Sequence, residues 1–141
     1  MEFFTSFKIC GTGLSAQRAK MDVITSNLAN VNTTSTPDGG PYKRKVITFT
    51  PDPLKKGFDK TLEGAVRAVK VKGIAEAKGG FKSVYDPAHP DADKDGYVSF
   101  PNVNAMQEMA DMITASRTYE ACATAFDAAK TMAVTAISIG N

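Results

Sequence analysis

Phe3, Phe7, Cys10, Leu14, Gln17, Met21, Ile24, Leu28 and Val31 recur at alternating intervals of four and three, and only Gln17 in that series is polar. Four heptads of this spacing predict a helix with a coiled-coil seam. Gly11 and Gly13 each weaken it by about 1 kcal/mol relative to alanine, so its first dozen residues are expected to fray alone and to order on contact. Asn30 and Asn32 suit the left-handed conformation that ends a helix, and TTSTPDGGP at residues 33–41 is turn chemistry. The helix is predicted to stop near Val31.

A second helical pattern fills the other end, from Asn102 to Asn141, with no proline to interrupt it. Asn102 is the expected N-cap, and Glu108 and Asp111 lie toward the positive end of the helix dipole. Val103, Met106, Met109, Ala110 and Ile113 recur at helical spacing, but from Ala121 onward apolar residues surround the whole circumference. Such a segment would be roughly 55 Å long. One partner helix cannot cover it, so other chains are expected to.

Between the helices prolines and glycines punctuate short runs. Val46 to Phe49, ending at Pro51 and Pro53, then Val66 to Ile74, Phe81 to Tyr85 and Tyr97 to Phe100 read as four strands. The fold class expected is α+β. Residues 1–31 and 102–141 pair as an antiparallel coiled coil, with residue 30 beside about 106, and residues 32–101 form a small inserted β module at one end of that shaft.

Composition adds little. With 43% hydrophobic and 23% charged residues the chain falls among ordinary soluble domains. Seventeen basic against fifteen acidic residues leave no default attraction to nucleic acid, and the cluster Lys43, Arg44, Lys45 reads as a solvated edge. Charges at Lys8, Glu120, Asp127 and Lys130 interrupt every apolar run before it could span a bilayer, and the N-terminus lacks the pattern of a cleaved signal. In the expected register Cys10 falls opposite about residue 126, roughly 6 Å along the axis from Cys122, so both cysteines are read as small buried hydrophobes rather than a disulfide.

Candidate chemistry dissolves on inspection. GTGLSA at residues 11–16 matches a dinucleotide fingerprint, yet no strand precedes it and no carboxylate follows at the ribose position, so no cofactor is expected. DADKDG begins like a calcium loop, with Asp91, Asp93, Asp95 and Gly96 in place, which makes a calcium-binding interaction module the alternative function. Its twelfth position is Asn102 instead of glutamate, and Asp95-Gly96 explains the run equally as a turn ahead of a strand. The single histidine, His89, stands in that loop away from both cysteines, and no nucleophile elbow, phosphate loop or zinc helix occurs. No metal site and no catalytic residue are assigned, and an enzyme is not expected. Arg117 with Glu120 and Asp127 with Lys130 stand three apart on the last helix, as local surface pairs or, in an assembly, as pairs between subunits.

The segment LSAQRAKMDVITSNLANVNTT, residues 14–34, resembles the N-terminal signature of the bacterial flagellar rod and hook proteins, with Asn27 to Asn30 as its central N-L-A-N. TPDGGPY at 36–42, VYDPAHPDADKDGYV at 84–98, PNVN at 101–104 and EMADMITASRTYEA at 108–121 are similar to a proximal rod member of that family. Cys122 departs from the asparagine usual there. The resemblance implies a structural subunit of the flagellar basal body, exported unprocessed by the flagellar type III apparatus and polymerised helically into the periplasm-spanning rod. It implies as partners copies of itself, other rod proteins and the adaptor joining rod to membrane ring. The assembly interface is then expected on the terminal helices: Leu14, Met21, Ile24, Asn27, Leu28, Asn30 and Val31 on the first. On the last it is expected at Met109, Ile113, Arg117, Tyr119, Glu120, Phe126, Met132 and Ile137, with Asn27 flanking the seam as a register element.

Overall fold

The computed structural model describes residues 2–53 and 67–139, with side chains from residue 5 onward. The side chain of Phe3, the strand start expected at Val66 and the helix end expected at Asn141 lie outside the described residues. The heptad series at the N-terminus forms helix α1, Glu2–Ala29, and the C-terminal apolar segment forms α2, Ala105–Ile139. At 1.5 Å per residue they are about 42 and 52 Å long.

Three contacts fix how the helices meet. The rings of Phe7 and Phe126 pack edge to face with centroids 4.8 Å apart. The Cys122 Sγ lies 3.3 Å from the point where a Cβ on Gly13 would stand, and Asn27 reaches Glu108. Rising positions on α1 meet falling positions on α2, so the pair is antiparallel, in the register expected from residues 30 and 106. Helix α1 passes unbroken through Gly11 and Gly13, and the side chain Gly13 lacks is the room that Cys122 occupies. Both cysteines are half-buried free thiols.

The face that α2 turns inward is not the one its methionines suggest. Glu108, Met112, Ala115, Cys122, Phe126, Ala129 and Ala133 are its buried or half-buried members at heptad spacing. Met106, Met109 and Ile113 point outward. On that face the small Ala115, Cys122 and Ala129 alternate with the larger Met112 and Phe126, and Phe126 meets Phe7 of α1. The N-cap is Asn104, not Asn102: its Oδ1 accepts from the backbone N–H of Met106 at 3.1 Å and of Gln107 at 3.3 Å. Pro101 and Asn102 belong to the irregular segment that precedes the helix.

The middle of the chain forms β1 (Lys45–Pro53), β2 (Arg67–Glu76), β3 (Lys82–Tyr85) and β4 (Tyr97–Phe100), paired antiparallel as two separate ribbons, β1 with β2 and β3 with β4. Strand β1 continues through Pro51 and Pro53, where the sequence suggested an end. Each strand of a two-stranded ribbon keeps a free edge, and prolines two apart can both turn their missing N–H toward it. Lys72 is the extra residue of a β-bulge opposite Thr48 and Phe49. Helix α1 contacts both strands of this ribbon as well as α2, so it is the element enclosed by the others.

Candidate functional site

The turn of residues 33–42 brings the chain back onto the end of α1. The Thr36 N–H donates to the Gly40 carbonyl across it at 2.9 Å, and the Tyr42 N–H donates to the Thr33 carbonyl at 3.1 Å. That return delivers Tyr42, Arg44 and Lys45 to Asn27. The Asn27 amide is 1% exposed and uses its whole hydrogen-bonding capacity. Its Nδ2 donates to the Lys45 carbonyl at 2.9 Å and to Glu108 Oε2 at 3.1 Å. Its Oδ1 accepts from the Lys45 N–H at 2.9 Å and the Tyr42 hydroxyl at 3.0 Å. Glu108, also 1% exposed, is held on its other oxygen by the Arg44 Nε at 2.7 Å.

This knot joins α1, the segment leading into β1 and the first turn of α2, parts up to 81 residues apart in sequence. Burying a carboxylate costs several kcal/mol unless it is paired and hydrogen-bonded, and here both conditions hold. The arrangement therefore specifies register: sliding α2 by one turn would strand Glu108 without Arg44 and Asn27. Of the basic cluster, Lys43 and Lys45 are exposed as expected, whereas Arg44 turns inward to the ion pair. A cleft of about 690 Å³ opens beside the knot, lined among others by Tyr42, Arg44, Asn102, Gln107 and Glu108. The carboxylate facing it is fully engaged, so the cleft offers no unpaired acid or base at that point.

The DADKDG segment folds as a turn. The Gly96 N–H donates to the Asp93 carbonyl and the Asp93 N–H to the Tyr97 carbonyl, each at 2.8 Å. Gly96 takes φ +79° with the Tyr85 ring 2.9 Å from where its Cβ would be, so only glycine fits. Asp91 accepts from the Thr34 hydroxyl at 2.7 Å. Among the described residues no three His, Cys, Asp or Glu side chains converge as metal ligands.

The residues expected at an assembly interface divide into two sets. Ile24 and Asn27 are buried within the chain, while Leu14, Met21, Leu28, Asn30, Val31 and Phe126 are half-buried. Asn30 closes the end of α1, its Nδ2 donating to the Ser26 carbonyl at 2.8 Å. Met109, Ile113, Arg117, Tyr119, Glu120, Met132 and Ile137 are exposed on α2. Neither Arg117 with Glu120 nor Asp127 with Lys130 closes an ion pair; the two among the described residues are Lys43–Glu76 and Arg44–Glu108. In this register α1 begins level with about residue 133, and α2 runs on past it for about 9 Å. There Ile137 is 67% and Ile139 81% exposed. At the other end Met106 is 73% exposed.

Comparison with known proteins decides the family. Residues 8–35 match the family model "Flagella basal body rod protein", and residues 94–139 match "Flagellar basal body rod FlgEFG protein C-terminal". The flagellar basal-body rod protein FlgC of Borreliella burgdorferi is 47% identical, covering 99% of this chain and 98% of that protein. The chain belongs to the FlgC family of flagellar basal-body rod proteins. FlgC of Bacillus subtilis is 38% identical and FlgC of Salmonella typhimurium 35% identical, each along the full length of both chains. As an FlgC-like protein the chain is a structural subunit of the flagellar basal-body rod, and its family implies assembly with other rod proteins. The matched segments take in most of α1 and all of α2, with β4 before it, and so include Asn27, Glu108 and the outward apolar surface but not Tyr42, Arg44 or Lys45. No described helix is long and apolar enough to cross a membrane.

Proposed function

We infer that this FlgC-like subunit polymerises through its terminal helices into the helical shaft that carries motor torque. The observation that carries this reading is the outward surface of α2. Met106, Met109, Ile113, Met132, Val134, Ile137 and Ile139 stay exposed after α1 has covered the inner face. Isolated apolar side chains at a surface are ordinary, but a series repeated along a helix marks a surface that meets a partner. In this account α1 and α2 form a coiled coil, residues 1–31 with 102–141 being the rod-core domain and 32–101 the inserted β-rich domain. Leu14, Met21, Ile24, Leu28 and Phe126 build the pair, Asn27 fixes its register, and Asn30 and Val31 finish it. Met109, Ile113, Tyr119, Met132 and Ile137 meet neighbours, and Arg117 and Glu120 pair across subunits, where desolvation makes them selective. The rod-to-membrane-ring adaptor and the flagellar type III export apparatus are the further partners, and the role is structural rather than catalytic.

The Ile137→Asp substitution tests it. Placed on the overhang, it leaves the melting of the isolated chain unchanged but prevents rod assembly and motility in a strain that has no other copy. Normal motility with Ile137→Asp would refute the reading.

A further inference from the structure

The two edges of the β1–β2 ribbon are not alike. In an antiparallel ladder, residues whose N–H and C=O both face the partner strand alternate with residues whose groups both face away. Lys45 gives both of its groups to the Asn27 side chain, each at 2.9 Å, so neither is spent on Glu76 opposite. Ile47, Phe49, Pro51 and Pro53 follow at two-residue intervals and share that outward direction. The prolines require the same direction, because β1 stays paired through Pro53 and a residue without an N–H has no donor for the ladder. The extra residue of the bulge, Lys72, stands on β2, so the alternation along β1 is kept.

The β1 edge is thus closed at both ends. Asn27 occupies Lys45, and the donors missing at Pro51 and Pro53 leave only the N–H groups of Ile47 and Phe49 to be offered outward, too short a run to hold a further strand. The β2 edge has no such closure. Opposite the outward residues of β1 stand Glu76, Ile74, Val71, Val69 and Arg67, which turn their groups away on the far side, and none of them is proline. The segment KVITFT of β1 is rich in β-branched and aromatic residues, and Phe49, Val69 and Ile74 are exposed together on one face of the ribbon. With both edges open, a ribbon of this composition would extend copy by copy into a continuous sheet.

We propose that Pro51, Pro53 and the Asn27–Lys45 contact bar the β1 edge to the β2 edge of a second copy of this chain, and so confine polymerisation to the helices. A contact of β2 with β1 joins two different patches and would repeat without end, whereas a contact of β2 with β2 is self-complementary and stops at two chains. Closing one edge is therefore enough. It rests on the rod reading above for the role of the helices, but not for the closure of the edge.

Restoring the missing donors tests it on the purified full chain. Pro51→Val combined with Pro53→Val keeps apolar strand residues at both positions, and the double variant is expected to form fibres that raise thioflavin T fluorescence roughly tenfold over the parent. Adding Val69→Pro removes an outward donor from the β2 edge and leaves the ladder its bonds, so the signal should return to that of the parent. Val71→Pro does the same at the next outward position, and replaces Val69→Pro if that variant loses the far-UV circular dichroism of the parent. A double variant as free of fibres as the parent, or fibres that persist once the β2 edge is closed, would overturn the proposal. Failure of the rod reading shows elsewhere, in normal motility with Ile137→Asp, and leaves the fibre result unchanged.

Discussion

Replacing Asn27 measures how much of the fold depends on the buried knot. Asn27→Ala removes four hydrogen bonds, three to neutral groups and one to the Glu108 carboxylate. Neutral bonds contribute about 1 kcal/mol each and one to a charged group about 1.5–3 kcal/mol. Part of this is recovered, because the Tyr42 hydroxyl keeps Ser26 at 3.1 Å and Glu108 keeps Arg44. The net loss expected is about 3 kcal/mol, a large share of the roughly 5–15 kcal/mol that holds a domain together. For a chain of this length that lowers Tm by about 10 °C. Asn27→Asp keeps the shape but sets a second carboxylate against Glu108 and removes both amide donors, so it should cost more than alanine. Urea unfolding followed by circular dichroism, at unchanged m-value, gives the comparison. An alanine variant within 0.5 kcal/mol of the parent, or an aspartate variant milder than alanine, would refute the role assigned to the knot.

Three further comparisons test the helix seam, the hairpin turn and the cap of α2. Gly13→Ala combined with Cys122→Ala should be about 1 kcal/mol more stable than Cys122→Ala alone, because helix propensity then acts without the clash; Gly13→Ala by itself should gain less, as chemical denaturation would reveal. Gly96→Ala forces a positive φ and a Cβ into the Tyr85 ring, and should cost about 1–2 kcal/mol and shift the NMR resonances of the β3–β4 hairpin. Asn104→Ala should lose about 1 kcal/mol of helix stability by thermal melting, whereas Asn102→Ala should be close to neutral, since only Asn104 caps α2.

The seam of α1 is legible in its sequence because large apolar residues hold the heptad spacing and only Gln17 interrupts it. The inner face of α2 is not, because Glu108, three alanines and Cys122 share it with Met112 and Phe126, while Met106, Met109, Met132 and all three isoleucines occupy the outside. Hydrophobicity alone therefore points to the wrong side, and only the partner helix reveals that the seam mixes small residues with Met112 and Phe126. Asn27 can be singled out from its place beside the seam, but Tyr42, Arg44 and Glu108 cannot, since their meeting depends on a turn and on 81 residues of intervening chain. An acidic residue in the first turn of a helix ordinarily faces water, and so does the middle of a basic triplet. The four strands are readable from their β-branched and aromatic runs; their division into two ribbons, and the passage of β1 through two prolines, follow from tertiary placement.

The central claim is that the outer side of α2 is covered only in the assembled rod. Thiol labelling of a cysteine placed at Ile113 or at Ile137, in a chain lacking Cys10 and Cys122, tests this by comparing the isolated subunit with intact basal bodies. Both positions should react readily in the subunit and be protected at least tenfold in the rod. Equal labelling in the two states, at both positions, would contradict the account.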